Sequence, residues 1–279
     1  HTILLYYKQY KNITKWLSPA FTFATANCLP IQGIEVELCD INSMTLTIGN
    51  NEPLIDDTQG TVITNLFGLK LDYPTRLNDR PIIFDNSASL TTKHAFEGAM
   101  LSFGSLHHTK PLGFGEGGYI VINSTDCQSI YDDLKRVTNF GFNYRREPQT
   151  FTSNFKMSET AAAFILQFIE SYDFLKKSHL VDRLDADLVQ KLLLNKLPLN
   201  LNDNPFIIKD LSCLPLIFDE PTDIHQFRNF GIEANKYYKP LTNMFSQCNY
   251  IFDRIIQLPF HAGLTDFQLD VMMKFLKNR

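Results

Sequence analysis

Short apolar runs separated by helical or loop-like stretches are the feature that most limits how this chain can fold. Such runs occupy residues 16–23, 35–39, 60–68, 80–84 and 119–122. Strands that are apolar along their whole length are typical of parallel sheets, because helices cover both faces of such a sheet. The pattern therefore predicts an α/β fold built on a mostly parallel sheet.

Helical periodicity fills much of the remaining sequence. We predict helices over 1–15, 24–31, 128–137, 158–174, 180–197 and 265–277, the last one capped by Thr265 and Asp266. From about residue 205 the pattern changes to short strands and turns before the final helix. We therefore expect a large α/β domain over residues 1–175 and a smaller α+β domain over residues 176–279.

Composition excludes several classes of protein. The net charge of −4 gives no basic face for nucleic acid, and no apolar run reaches the ~20 residues of a membrane span. The five cysteines are odd in number and widely spaced, which predicts reduced thiols rather than a disulfide framework or a zinc site. No signal peptide is recognisable, and we expect a cytoplasmic protein.

One carboxylate and one lysine occupy positions that suit a particular cofactor. Asp85 ends an apolar run, and Lys110 leads into the glycine-rich segment 113–118. A carboxylate at the end of a buried strand can keep a pyridine nitrogen protonated, and a lysine on a nearby turn can form a Schiff base. The pair indicates an enzyme that uses pyridoxal 5′-phosphate (PLP).

Six segments in one order extend this indication over most of the chain: 19–27, 81–89, 105–118, 139–142 with 154–162, 231–241 and 258–260. Together they resemble the signature of the DegT/DnrJ/EryC1/StrS family of sugar aminotransferases. The resemblance implies the type I fold of PLP-dependent transferases. It also implies a homodimer that moves an amino group from a donor such as glutamate to a keto group of a nucleotide-linked deoxysugar.

The resemblance assigns roles to individual residues. Lys110 would form the aldimine with PLP and then move a proton, and Asp85 would pair with the pyridine nitrogen. Ser105 would bind the cofactor phosphate, and Phe23 would stack on the cofactor ring. Asn154 would reach the phosphate of the neighbouring subunit's cofactor, so that the active site would be shared across a dimer.

Each of these residues also has an ordinary structural explanation. Most lysines are solvated surface charges, and Asp85 could cap a turn. Ser105 and Asn154 could be loop and turn residues, and Phe23 could belong to the core. The resemblance favours the functional role most strongly for Lys110 and Asp85, and least strongly for Phe23.

Two departures from the family pattern matter. Relatives carry Gln or His three residues after the aspartate, against the cofactor, and this chain has Ala88 there. In relatives, a phosphate-binding loop precedes a helix, and that helix corresponds to the segment that starts at His1 and Thr2. The segment that would precede this helix, including the loop, is expected to be missing from this sequence. A second reading follows, in which the chain is a fragment or an impaired family member that acts as a binding subunit.

Two other motifs in the lysine segment resemble sites. His107 and His108 could suggest a metal centre, but adjacent side chains point differently and no acidic or thiol partner lies at ligand spacing. We expect surface or supporting roles for them, and no metal. Gly113, Gly115 and Gly117 lack the spacing of a dinucleotide-binding loop, and we expect them to form the tight turn that places Lys110.

Overall fold

The computed structural model describes residues 1–43, 46–48, 59–69, 77, 79–89, 100–111, 113, 115–150, 152–171, 179–185, 188, 191–192 and 211–279. Six strands form the main sheet: β1 Lys15–Pro19, β2 Glu35–Cys39, β3 Gly60–Thr64, β4 Ile82–Asp85, β5 Leu101–Ser105 and β6 Gly118–Ile122. Their order is β2-β1-β3-β4-β5-β6. The first five run parallel, and β6 runs antiparallel to β5. The predicted mostly parallel sheet is confirmed.

Four helices accompany this sheet: α1 Thr2–Lys11, α2 Phe23–Ile31, α3 Cys127–Thr138 and α4 Glu159–Ser171. The C-terminal region contains β7 Cys213–Ile217, α5 His225–Arg228, α6 Ser246–Arg254, β8 Ile255–Pro259 and α7 Asp266–Lys277. Strands β7 and β8 form an antiparallel pair. The capping box predicted at Thr265 is present, with Gln268 as its partner. Within the described residues, no helix has the length and apolarity that crossing a membrane requires.

Several boundaries differ from the predictions. The predicted strand 16–23 ends at Pro19, and helix α2 begins at Phe23. The strand from Gly60 ends at Thr64 and is followed by a short 3-10 helix, Leu66–Gly68. Strand β5 was not predicted. The predicted helix 180–197 and the proposed domain boundary near residue 175 lie largely outside the described residues, so the boundary stays a prediction.

Close packing around Trp16 explains how β1 and β3 meet. Trp16 is fully buried and pairs with Gly60 in the register of the two strands. A Cβ atom at Gly60 would lie 2.7 Å from the indole ring, so only glycine leaves room for it. The Tyr7 ring of α1 packs edge-on against the same indole, at 5.2 Å between centroids. Burial of a side chain of this size contributes on the order of 3 kcal/mol.

The C-terminal region packs against the carboxyl-terminal edge of the main sheet. Phe21, Leu66 and Phe67, which follow β1 and β3, share one apolar cluster with residues of β7, β8, α6 and α7. Asp40, directly after β2, adds a polar connection. Its carboxylate accepts hydrogen bonds from the backbone N–H groups of Gln247 (2.9 Å) and Cys248 (2.9 Å), at the start of α6. This edge is where the predicted site residues gather.

Candidate active site

Asp85 is the last residue of β4 and lies at this edge with only 6% of its surface exposed. Its Oδ2 accepts a hydrogen bond from the Thr25 hydroxyl (2.7 Å), and its Oδ1 accepts one from the backbone N–H of Ser87 (2.9 Å). Thr25 donates its single hydroxyl proton to Asp85. The Thr64 hydroxyl, whose oxygen lies 3.0 Å from the Thr25 oxygen, is therefore the donor in the bond between the two threonines. The carboxylate is thus held from α2, from the turn after β4 and, through Thr25, from β3.

Asp85 forms no salt bridge within the described part of the chain, although its charge is among those that raise the pKa of the His1 α-ammonium against the larger lowering by burial. The ion pairs found there involve other residues. A buried carboxylate is unfavourable unless a positive charge or several donors compensate it. Two hydrogen bonds leave capacity on both oxygens, and this is the arrangement expected of a carboxylate that receives a protonated ring nitrogen.

Lys110 lies in the hairpin that joins β5 to β6. Strand β5 is the neighbour of β4, with Phe103 in register with Asp85, and Lys110 follows the end of β5 by five residues. The Lys110 N–H donates to the carbonyl of His107 (2.8 Å), and its carbonyl accepts from Gly113 (2.9 Å). The lysine side chain is half-buried. The hairpin therefore places it one strand away from Asp85.

Ser105 and the glycines shape the base of this hairpin. Ser105 pairs with Gly118, and its hydroxyl accepts a hydrogen bond from the N–H of His107 (3.2 Å), which leaves the hydroxyl proton for another acceptor. Gly117 has φ +153°, and a Cβ there would lie 2.4 Å from the sulfur of Met157. The predicted glycine turn is present, and at Gly117 it requires glycine for both reasons.

A cavity of about 860 Å³ adjoins these elements. Thr25, Gly104, Gly117 and the first turn of α1 line it on one side, and residues around α3 and α4 line it on the other. Cys28 also lines it, and burial raises the pKa of its thiol, which donates to the carbonyl of Thr25 (3.0 Å). None of the predicted site residues lines this cavity, which reaches their edge of the sheet only through neighbours such as Thr25 and Gly104.

An aromatic group closes another side of the site. The Phe23 side chain is 53% exposed, and its ring lies 5.9 Å from the ring of Tyr238, edge to face. Tyr238 stacks on Phe67 at 6.0 Å, and burial raises its pKa to about 12. Gln257 of β8 fixes this segment through two hydrogen bonds of 2.8 Å to the backbone of Tyr237. Tyr238 was missed as a site residue, although it lies in one of the recognised motifs.

Asn154 and Ala88 occupy the periphery. Asn154 forms a bridge with Asn139, is exposed, and accepts a hydrogen bond from the Lys156 N–H (3.2 Å). Asn139 and Lys156 line the cavity on the wall opposite β6. Ala88 is half-buried in the turn that follows Asp85. The structure thus brings Asp85, Ser105, Lys110 and Phe23 to one sheet edge, and it places Asn154 apart from them.

One expectation about the histidines was wrong. No acidic partner was expected near His107, but the hairpin folds Glu116 back onto it, with Oε1 3.3 Å from His107 Nε2. The His108 N–H donates to the Gly115 carbonyl (2.8 Å), and this bond brings the two arms of the hairpin together. Separation in sequence concealed this contact, because only the hairpin register reveals it.

Solved structures define the class of protein. The aminotransferase PseC of Helicobacter pylori, involved in the biosynthesis of pseudoaminic acid, matches with a TM-score of 0.76 and 18% identity, over 99% of this chain and 84% of its own. NtdA from Bacillus subtilis, solved with the bound cofactor PMP, matches with a TM-score of 0.78 and 16% identity, over 99% of this chain and 71% of its own. The fold is that of PLP-dependent aminotransferases.

The family follows from sequence. The model of the DegT/DnrJ/EryC1/StrS aminotransferase family matches residues 2–277. The dTDP-4-amino-4,6-dideoxy-D-glucose transaminase of Shigella dysenteriae is 26% identical over 93% of this chain and 78% of its own length. The chain belongs to the DegT/DnrJ/EryC1/StrS aminotransferase family, whose members are PLP-dependent sugar aminotransferases. The residues present fit PLP, because Asp85 offers a buried carboxylate without a salt bridge beside the hairpin that carries Lys110.

Proposed function

We propose that this chain transfers an amino group from glutamate to a keto group of a nucleotide-linked deoxysugar, with Lys110 as the catalytic amine. One observation carries the proposal above all others. Asp85 is a buried carboxylate that forms no salt bridge with the described residues, one strand away from the lysine hairpin. The family supports the reaction class, and the geometry of this edge supports the residue roles.

The proposed task of Asp85 is electrostatic. PLP supplies an electron sink when a proton leaves the substrate carbon, provided that its ring nitrogen stays protonated. The hydrogen bonds from Thr25 and Ser87 orient the Asp85 carboxylate and leave a lone pair on each oxygen for the ring N–H. Because the anchoring groups come from separate elements, the carboxylate keeps its position while substrates exchange.

Lys110 has a different proposed task. Its amine would hold the cofactor and, once free, would carry a proton to and from the substrate carbon. Its half-buried position on a turn suits a side chain that must change partners. Ser105 donates its free hydroxyl proton to the cofactor phosphate, since its oxygen already accepts from the His107 N–H.

Phe23 and Ala88 determine how the flat ring is held. The exposed ring of Phe23, backed by Tyr238, offers a surface for stacking. Ala88, which replaces a larger residue of the relatives, leaves more room on the opposite side. We infer that this chain holds the ring mainly from the Phe23 side.

The proposed functional unit is a homodimer. The proposal rests on the family resemblance of Asn154, an exposed residue on the segment that precedes α4. Analytical ultracentrifugation should show a dimer. Asn154→Ala should weaken PLP binding about tenfold, the effect of one lost hydrogen bond to a charged group. A monomer with full activity at high dilution would contradict the shared site.

The transfer is tested in two half-reactions. With PLP and L-glutamate, the protein should release one equivalent of 2-oxoglutarate per chain and change its visible absorption. The enzyme that has taken up the amino group should then transfer it to a nucleotide-linked 4-keto-6-deoxysugar, the acceptor class suggested by the Shigella relative. Lys110→Ala should abolish both steps, whereas Lys274→Ala, on the exposed face of α7, should leave them unchanged.

The second reading, an impaired relative that only binds a partner, predicts a different result. Such a protein would release no 2-oxoglutarate and would show no difference between Lys110→Ala and Lys274→Ala. Asp85 argues against this reading, because a non-catalytic protein gains little from a carboxylate that is buried without a salt bridge.

A further inference from the structure

Glu116, His107 and His108 form a compact group of ligand atoms on the lysine hairpin, outside the proposed chemistry. Each residue offers one ligand atom, and the three atoms lie within 4.8 Å of one another. The shortest separation is 3.3 Å, between His107 Nε2 and Glu116 Oε1. Tetrahedral ligands about 2.1 Å from a zinc ion are about 3.4 Å apart, so this pair already has the required spacing.

The second ring nitrogen of His107 has two contacts with Thr109. Its Nδ1 lies 2.8 Å from the Thr109 hydroxyl and accepts a hydrogen bond from the Thr109 backbone N–H (3.3 Å). In the metal-free hairpin this arrangement leaves the proton on Nε2, where it donates to Glu116. A metal ion on Nε2 replaces that proton, and Nδ1–H then donates to the Thr109 hydroxyl, as in other histidine ligands whose second nitrogen is hydrogen-bonded.

The backbone keeps the three residues together. The His108 N–H donates to the Gly115 carbonyl (2.8 Å), and the Leu106 N–H donates to the Gly117 carbonyl (2.9 Å), so both histidines stay opposite Glu116. The His107 and His108 rings lie 4.1 Å apart, tilted by 40°. The Glu116 side chain is 80% exposed, so small rotations can bring its carboxylate and the second imidazole to bonding distance.

We propose that this hairpin binds one zinc ion through His107, His108 and Glu116, with water or an exchangeable ligand in the fourth position. Two imidazoles with one carboxylate suit Zn²⁺, whereas Mg²⁺ and Ca²⁺ prefer oxygen ligands alone. The ion would link both sides of the hairpin and hold the turn that carries Lys110. None of its ligands has a role in the proposed transfer reaction, although Glu116 also lines the cavity.

Calorimetric titration of the full chain with ZnCl₂ tests the proposal. The wild-type protein should bind one equivalent, with at least about tenfold weaker binding in His108→Asn and in Glu116→Gln. Thr109→Val should also weaken binding about tenfold or more, because residues that orient a ligand typically contribute 10–100-fold. His225→Asn, an exposed histidine on α5, is the matched control and should bind like wild type.

Circular dichroism should show all four variants folded, as expected for changes at exposed or partly exposed positions. The proposal is overturned if the wild type shows no saturable binding of Zn²⁺. It is equally overturned if His108→Asn and Glu116→Gln bind as tightly as the control. Binding of Mg²⁺ with the same affinity as Zn²⁺ would contradict the assignment to this ligand set.

Discussion

Two buried aspartates stand at the same edge of the main sheet, and the protein surrounds them in opposite ways. Asp40 follows β2 and receives three backbone N–H groups, from Ile41 and from the first turn of α6. Asp85 ends β4 and receives one hydroxyl and one N–H. A helix N-terminus carries partial positive charge, and Asp40 accepts directly from the backbone of α6, whereas Asp85 accepts only a side-chain hydroxyl from α2 and one backbone N–H.

The donors around a buried carboxylate, rather than its burial, separate a structural from a functional residue here. Both residues are under 8% exposed, so burial alone does not distinguish them. Asp40 has its donors from within the chain and contributes to stability. Asp85 keeps capacity for an external cation, which we propose to be the cofactor ring nitrogen. Substitution should therefore affect stability at one residue and activity at the other.

The largest effect is expected for Asp85→Asn. The amide keeps the shape but loses the charge that holds the ring nitrogen protonated, so transaminase turnover should fall about 100-fold or more. The free energy of unfolding without PLP should stay the same or rise, because a buried charge without a salt bridge is removed. Steady-state rates and urea denaturation measure the two quantities. Near-normal turnover would remove Asp85 from the site.

Asp40→Asn should show the reverse. The amide places an N–H₂ group against the N–H donors of α6, so the free energy of unfolding should fall by about 2 kcal/mol. Turnover per folded molecule should remain within about threefold of wild type. Urea denaturation at constant pH gives the first value. A large loss of turnover in a fully folded protein would show that Asp40 is not purely structural.

Thr25→Val sharpens the comparison by removing one of the two donors to Asp85. A hydrogen bond to a charged group contributes about 1.5 kcal/mol, so PLP binding should weaken about tenfold. Thr64→Val is the matched control, because the Thr64 hydroxyl contacts Thr25 and the effect reaches Asp85 only indirectly. Fluorescence titration with PLP measures both. Equal effects of the two substitutions would argue against a direct role for the Thr25 bond.

The smallest effect concerns Tyr238. Burial, followed by nearby Cys213 and Asp85, raises the pKa of Tyr238 to about 12 from 10. The unfolded chain loses this proton first, so the stabilisation is present below pH 10 and is lost as pH rises toward 12. Tyr238→Phe should make the decline of stability over that range shallower. Tyr7, whose pKa burial also raises, continues to titrate in both proteins. An unchanged decline would contradict the assignment.

Most of the strands predicted from the sequence are largely apolar, and β2 was predicted although it carries Glu35 and Glu37. Strand β4 with Asp85 was found in this way. Strand β5 escaped detection because Ser102 and Gly104 interrupt its apolar pattern. Ser102 is nonetheless buried, and a Cβ at Gly104 would lie 2.2 Å from the Tyr119 ring. A glycine that makes room for an aromatic ring on the neighbouring strand cannot be recognised from the apolar pattern of its own strand.

The residues of the candidate site also differ in whether the local sequence or a long-range contact places them. Asp85, Lys110 and Ser105 follow from short motifs, because their placement depends on local turns. The position of Tyr238 depends on hydrogen bonds between Gln257 and the backbone of Tyr237, two residues that are twenty positions apart in sequence. The contact of His107 with Glu116 depends on the hairpin register. Long-range contacts of this kind require the folded structure.

The central claim, that Asp85 and Lys110 together form a PLP site, is tested most directly by trapping the cofactor. Purified protein incubated with PLP should be treated with borohydride, digested, and analysed by mass spectrometry. The account predicts one reduced PLP adduct per chain, on the peptide that contains Lys110, with much weaker labelling in Asp85→Asn and normal labelling in Asp40→Asn. Labelling of a different lysine, or equal labelling in both aspartate variants, would contradict it.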